Sequence, residues 1–190
     1  MSSAFSQKLL VAALSAACLL VLAPGAWAQS SSNSGGATFV PPPPPPAKAA
    51  LVNGRLVAPA SAPRRVKQVI TAANRIVEKP YVYGGGHTAY RSGSLDRGYD
   101  CSGAVSYALH GGRFLGSPLP SGMLMSWGQR GTGRWITVYA HGGHAYVVVA
   151  GYRFDTSMHD RDAPGPSTGP RWSRSLRTSS AFVARHPSGY

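Results

Sequence analysis

A chain of 190 residues with a formal net charge of +13 is long enough for one domain of ordinary size plus appendages. Such a basic surface suits an anionic partner, although a basic surface with no specific partner satisfies the same numbers. The arginines are scattered from Arg55 to Arg185 without one dense run, which argues against nucleic acid.

Lys8 precedes an apolar run from Leu9 to about Leu22, Pro24-Gly25 breaks it, and Ala26-Trp27-Ala28 has the small-x-small spacing of a signal-peptidase site. The run is shorter than the roughly 18 to 20 apolar residues of a membrane span. Residues 1–28 therefore read as a cleaved signal peptide, which makes the mature chain secreted or periplasmic. Export is a second argument against nucleic acid. Cys18 sits inside the apolar run rather than at its end, so lipid attachment is not expected, and no other stretch is long and apolar enough to cross a membrane.

Residues 29–63 begin with a serine-, glycine- and asparagine-rich stretch, Gln29 to Gly36. Six prolines follow, Pro41 to Pro46, which are expected to form a stiff polyproline II spacer. Ala47 to Pro63 is rich in small residues and has no strong period. The segment is expected to be a disordered linker with little packed structure before Arg64, either a tether or a leader with no task.

The domain proper is expected over 64–190. Val66, Val69, Ile70, Ala73, Ile76 and Val77 fall on one stripe of a 3.6-residue period, predicting a helix that Pro80 ends. Pro80-Tyr81-Val82-Tyr83-Gly84-Gly85-Gly86 predicts a tight loop with close backbone approach, and the absence of a following Gly-Lys-Ser/Thr excludes a phosphate loop. A second helix starts at Cys101 and stops at Gly111-Gly112. Strands are predicted over Trp135 to Tyr139, His144 to Ala150, Tyr152 to Ser157 and Ala181 to Arg185, with Ala150-Gly151 as a tight hairpin turn. Met158 to Thr178 holds three prolines and reads as loop. Helices followed by an antiparallel sheet indicate an α+β fold.

Removal of the signal peptide leaves Cys101 as the one cysteine, without a disulfide partner. A reactive thiol and a small buried hydrophobe both satisfy that position. The helix N-terminus favours a thiolate, and Asp100 opposes it. A cysteine nucleophile needs a base, and the base needs an orienter. His144 opens a strand and is the candidate base, though a half-buried polar residue at a strand end is the bland alternative. A two-residue turn at Ala150-Gly151 pairs Val149 with Tyr152 and puts Asp155 on the face of His144, whereas a three-residue turn sends it to the opposite face. Asp155 is thus the candidate orienter. His141 and His144 have metal-pair spacing, but no further ligand falls nearby, so neither a metal nor another cofactor is expected. His87, His110, His159 and His186 are expected at the surface.

Pro80-Tyr81-Val82-Tyr83-Gly84-Gly85, then Tyr99-Asp100-Cys101-Ser102-Gly103, then Gly143-His144 opening a valine-rich strand resemble the NlpC/P60 family, bacterial cell-wall cysteine peptidases with a papain-like fold. The resemblance covers about residues 64–157. It implies hydrolysis of amide bonds in peptidoglycan stem peptides, typically between D-glutamate and a diamino acid, with Cys101 attacking as thiolate and His144 as base. The family's third polar residue is most often histidine, sometimes asparagine or glutamine. Asp155 stands at the nearest matching place, with Ser157 and His159 also open. Tyr81, Asp100 and Ser102 match positions lining the family's substrate groove, where Asp100 meets the free amine of a stem peptide. Arg134-Trp135-Ile136-Thr137-Val138 replaces the family's usual Gly-Asp-Leu-Val strand, marking a divergent member. Peptidoglycan is the implied partner, with anionic wall polymers alongside it, and a monomer is expected. An N-acetylmuramoyl-L-alanine amidase, an acyltransferase and a non-catalytic wall-binding module remain alternatives on the same scaffold.

Overall fold

The computed structural model describes residues 48–88, 90, 94–157, 169–177 and 180–190. The expected signal peptide and the proline run lie outside them. Among the described residues no helix is long and apolar enough to cross a membrane.

The first described elements overturn the expectation of little packed structure before Arg64. Strands β1 (Ala50–Val52) and β2 (Arg55–Val57) pair antiparallel across Asn53-Gly54, both with positive φ, 48° and 74°. An Asn-Gly pair between short apolar runs is the sequence signature of this type of turn. The hairpin is anchored by Leu56, which is 1% exposed.

Helix α1 (Arg64–Asn74) buries Val66, Val69, Ile70 and Ala73, the stripe expected from the period. The helix ends at Asn74, ahead of Pro80, in tighter turns in which Arg75 N donates to Ala72 O and Ile76 N to Ala73 O, both at 3.1 Å, and Asn74 bonds elements beyond the helix. Its Oδ1 accepts from Leu56 N at 3.0 Å and from Trp172 Nε1 at 2.8 Å, and its Nδ2 donates to Leu56 O at 2.8 Å. One side chain thus ties the hairpin, the helix and a distant strand together.

Helix α2 (Cys101–Gly111) is the central element and packs on α1 and on the sheet. It is buried along nearly its whole length, as its small and apolar residues permit. A Cβ on Gly111 would stand 2.3 Å from Ala72 Cβ, so the α1–α2 crossing requires glycine there.

A short helix α3 (Ser121–Leu124) and a two-residue strand β3 (Gln129–Arg130) precede the main sheet strands. These are β4 (Ile136–His141), β5 (His144–Val149), β6 (Tyr152–Asp155), β7 (Arg171–Ser173) and β8 (Val183–His186). The sheet order is β3-β8-β4-β5-β6-β7, and every pair is antiparallel. The fold is α+β. Strand β7 lies in a segment expected to be loop. Its three residues are too few to show a period, and it is held by pairing with β6 and by burial of Trp172 against Phe154, ring centroids 4.8 Å apart.

The β5–β6 turn has the two-residue form, with Ala150 at φ 50° and Gly151 at φ 85°. Val149 faces Tyr152 and Val147 faces Phe154. This register carries Asp155 to the same end and face as His144.

Candidate active site

Two loops and a helix start build one side of the site. Tyr81 bridges Tyr99 in parallel, Tyr99 N donates to Pro80 O at 3.0 Å, and Asp100 N donates to Gly85 O at 3.0 Å. The glycines permit this approach. A Cβ on Gly103 would lie 2.1 Å from Gly85 O, and one on Gly86, at φ +82°, would lie 2.9 Å from Gly103 Cα. The Tyr-Gly-Gly-Gly loop and the Asp-Cys-Ser-Gly element are thus two halves of one contact.

Asp100 caps α2. Its Oδ1 accepts from Gly103 N at 2.7 Å and from Ser102 Oγ at 3.1 Å, and its Oδ2 accepts from Gly84 N at 3.1 Å. His87 Nε2 lies 3.0 Å from Asp100 Oδ1 and 3.1 Å from Ser102 Oγ. Both carboxylate oxygens therefore already have donors from the chain itself, which bears on the expectation that Asp100 meets a substrate amine. His87 is half-buried rather than at the surface, a position the sequence pattern did not disclose.

Cys101, the free cysteine among the described residues, opens α2 and is 9% exposed. Tyr81, expected to line a groove, stays partly open beside it. Its hydroxyl pKa is raised first by burial and then by the nearby Cys101 and Asp100.

His144 comes from the other side, as the first residue of β5. Its Nε2 lies 2.9 Å from Asp155 Oδ1, and the Asp155 side chain is fully buried. Burial disfavours the charged ring, but the hydrogen bond to Asp155 and the attraction of Asp155 and the nearby Cys101 more than offset it and raise the His144 pKa to about 9. With Nε2 turned to Asp155, Nδ1 is the ring nitrogen left for Cys101. Burial also disfavours the charged form of Asp155, yet His144, the Ser157 amide and Arg153 overcome it and hold the carboxyl below the usual range. Asp155 thus lies against His144 Nε2, and Cys101 is among the groups close enough to act on the ring.

Ser157 joins this group: its Oγ is 3.3 Å from His144 Nε2 and donates to Asp155 Oδ1 at 3.1 Å, while its amide donates to the same oxygen at 3.0 Å. His159 lies outside the described residues. Two further neighbours escaped the sequence reading. Arg177 Nη1 donates to Asp155 Oδ2 at 3.3 Å and to Ser157 Oγ at 2.9 Å. Phe182 packs on His141, His144 and Tyr146, with centroids 4.5, 6.2 and 5.1 Å away. Neither residue belongs to a motif, and each arrives through tertiary folding.

His141 closes the β4–β5 turn by accepting from Gly143 N at 3.0 Å through Nδ1. Among the described residues no group of three or more histidine, cysteine, aspartate or glutamate side chains is gathered as metal ligands would be. His110 and His186 are half-buried, not surface groups. His110 stacks on Tyr90 at 3.8 Å, and His186 Nδ1 lies 3.0 Å from Gly131 O. A cavity of about 350 Å³ lined by Arg75, Tyr107, His110 and Arg113 among others lies at the far end of α2 from Cys101, and is separate from this site.

Neither a protein-family model nor a curated protein matches the sequence. Solved structures similar to the chain include RipA, a Resuscitation Promoting Factor Interacting protein, in a substituted form, with 22% identity, a TM-score of 0.44 and coverage of 65% of this chain and 62% of that one. A hypothetical invasion protein of Mycobacterium tuberculosis gives 22% identity and a TM-score of 0.43 over 64% of this chain and 62% of that one. The P60 domain of an antigen from M. avium subspecies paratuberculosis gives 20% identity and a TM-score of 0.42 over 64% of this chain and 94% of that one. The chain thus spans about 62% of the length of the RipA structure it matches.

Proposed function

We propose that this chain is a divergent NlpC/P60-type cysteine hydrolase that cleaves amide bonds in peptidoglycan stem peptides. The observation that carries the reading is His144, with one ring nitrogen 2.9 Å from a fully buried carboxylate and Cys101 near enough to raise the ring's pKa. A buried acid backing an imidazole that faces a sulfur is the arrangement nucleophilic catalysis needs.

In this reading Cys101 Sγ attacks the carbonyl carbon of the scissile amide, and the sulfur's proton rests on His144. Of the first-turn amides of α2, Gly103 N is taken by the Asp100 cap, while those of Cys101 and Ser102 have no acceptor within the helix and are left for the oxygen that becomes negative. His144 then gives its proton to the departing amine, leaving a thioester on Cys101. Water, deprotonated by His144, hydrolyses that thioester and restores the free thiol. Asp155 keeps Nε2 protonated throughout and fixes the ring plane.

The order of motifs from Tyr81 to Gly151 supports peptidoglycan as the substrate, and the net charge of +13 suits its carboxylates and the anionic polymers beside it. Export rests on the pattern from Lys8 to Ala28, and the chain is taken to act as a monomer. Tyr81 and Ser102 flank the sulfur as candidate substrate contacts. Asp100, with donors already on both oxygens, contributes chiefly by holding the start of α2.

The test is mass-spectrometric analysis of fragments released from purified peptidoglycan by the wild-type chain and by Cys101→Ala. The expected result is new amino and carboxyl ends within stem peptides, absent with the variant. Equal product from both would remove the reading. Release of intact stem peptides from the glycan would make the protein an amidase instead.

A further inference from the structure

Asp155 is held from both sides. On one side Oδ1 meets His144 Nε2, and on the other Oδ2 meets Arg177 Nη1 at 3.3 Å and Arg153 Nε at 3.8 Å. Arg177 also reaches the same ring nitrogen by a second route, since Nη1 donates to Ser157 Oγ at 2.9 Å and that oxygen is 3.3 Å from Nε2. The guanidinium lies over Phe182 and Tyr146, 5.2 and 5.6 Å from their centroids, and Phe182 also packs against His144. One cation therefore touches the carboxylate, the hydroxyl and the aromatic wall that together surround the far side of the imidazole.

We propose that Arg177 is a positioning residue for His144, fixing Asp155 and Ser157 against Nε2 and sharing the carboxylate's charge so that the ring surrenders its proton more readily. The proposal rests on the hydrolase reading for its purpose, though not for its geometry. A fully buried carboxylate serving one histidine alone would hold the imidazolium too firmly, and a general acid works best when its proton is not overbound. The His144 pKa of about 9 already stands high for that task, so a cation shared on Oδ2 is of direct use. Among the described residues, the charged and titratable groups around His144 include Cys101 from α2, Asp155 and Arg153 from β6, His141 from the end of β4, Tyr146 from β5 itself, and Arg177 from the segment after β7. Of these, Arg177 bonds both the carboxylate and the hydroxyl. Being about a third exposed, it is replaceable without opening the core.

The experiment is an NMR titration of the His144 ring in wild type, Arg177→Gln and Arg177→Lys. Loss of the cation removes a like charge near the ring and returns Asp155 more fully to it. Both effects favour the imidazolium, so Arg177→Gln is expected to raise the midpoint by about half a pH unit or more. Arg177→Lys keeps the charge but not the planar fork and is expected to shift it less. An unchanged or lowered midpoint in Arg177→Gln overturns the proposal. In peptidoglycan digestion, Arg177→Gln is expected to lower kcat about tenfold with KM unchanged, within the usual span of acid–base contributions. A raised KM at unchanged kcat would make Arg177 a substrate contact and also overturn it. The titration requires no substrate, so failure of the hydrolase reading, seen as no Cys101-dependent product, remains distinguishable.

Discussion

Replacing His144 tests the electrostatics of the site without any knowledge of substrate. The ring is raised from 6.5 to about 9 in the folded chain, which at about 1.36 kcal/mol per pH unit corresponds to about 3 kcal/mol. The folded pKa lies above the unfolded one, so this stability is fully present below pH 6.5 and is lost as pH rises through about 9. Urea unfolding of wild type and His144→Gln from about pH 6 to about pH 10 would measure it, because the difference between the two proteins cancels most groups that titrate elsewhere. The advantage of wild type is expected to shrink by about 3 kcal/mol across that range. The hydrogen bond to Asp155 is the foremost influence that raises the ring, against the opposing effect of burial. With Asp155→Asn in both backgrounds, the shrinkage is expected to be smaller. An advantage that stays flat with pH, or grows, would refute the claim that folding stabilises the imidazolium.

The remaining predictions concern packing around the site. Asp155→Ala removes the acceptor shared by His144, Ser157, Arg177 and Arg153 and leaves cations facing one another, and urea unfolding at neutral pH is expected to show a loss of about 3 to 5 kcal/mol. Gly103→Ala drives a methyl to within 2.1 Å of Gly85 O, a backbone atom that cannot move alone. A loss of more than about 3 kcal/mol or failure to fold is expected by thermal melting. Asn74→Ala unpairs the Leu56 amide and carbonyl and the Trp172 indole together, at a cost of about 3 kcal/mol in the same assay, and is expected to speed amide exchange in the Ala50–Val57 hairpin.

Much of the site was legible because its parts obey local rules. Strand period two and a two-residue turn carry Asp155 to His144, since both are properties of a dozen consecutive residues. The glycines of the Pro80–Gly86 loop announced a close approach, although which backbone they would meet, and that Gly103 would be its other half, was not readable. The Asn53-Gly54 hairpin was readable in principle but was hidden in a stretch whose neighbours are small and proline-rich.

What the sequence alone determined is thus the amphipathic stripe of α1, the start of α2 at Cys101 and the β5–β6 register, each dictated by short-range sterics and side-chain periodicity. Only the tertiary structure decided that Asn74 binds Leu56 and Trp172, that His87 takes up the Asp100 carboxylate, and that Arg177 stands behind Asp155. Asn74 and Trp172 are 98 positions apart, and Arg177 and Asp155 are 22 apart. No local periodicity links residues so separated. They meet because burying the faces of α1, α2 and the sheet leaves each polar group one place to find a partner.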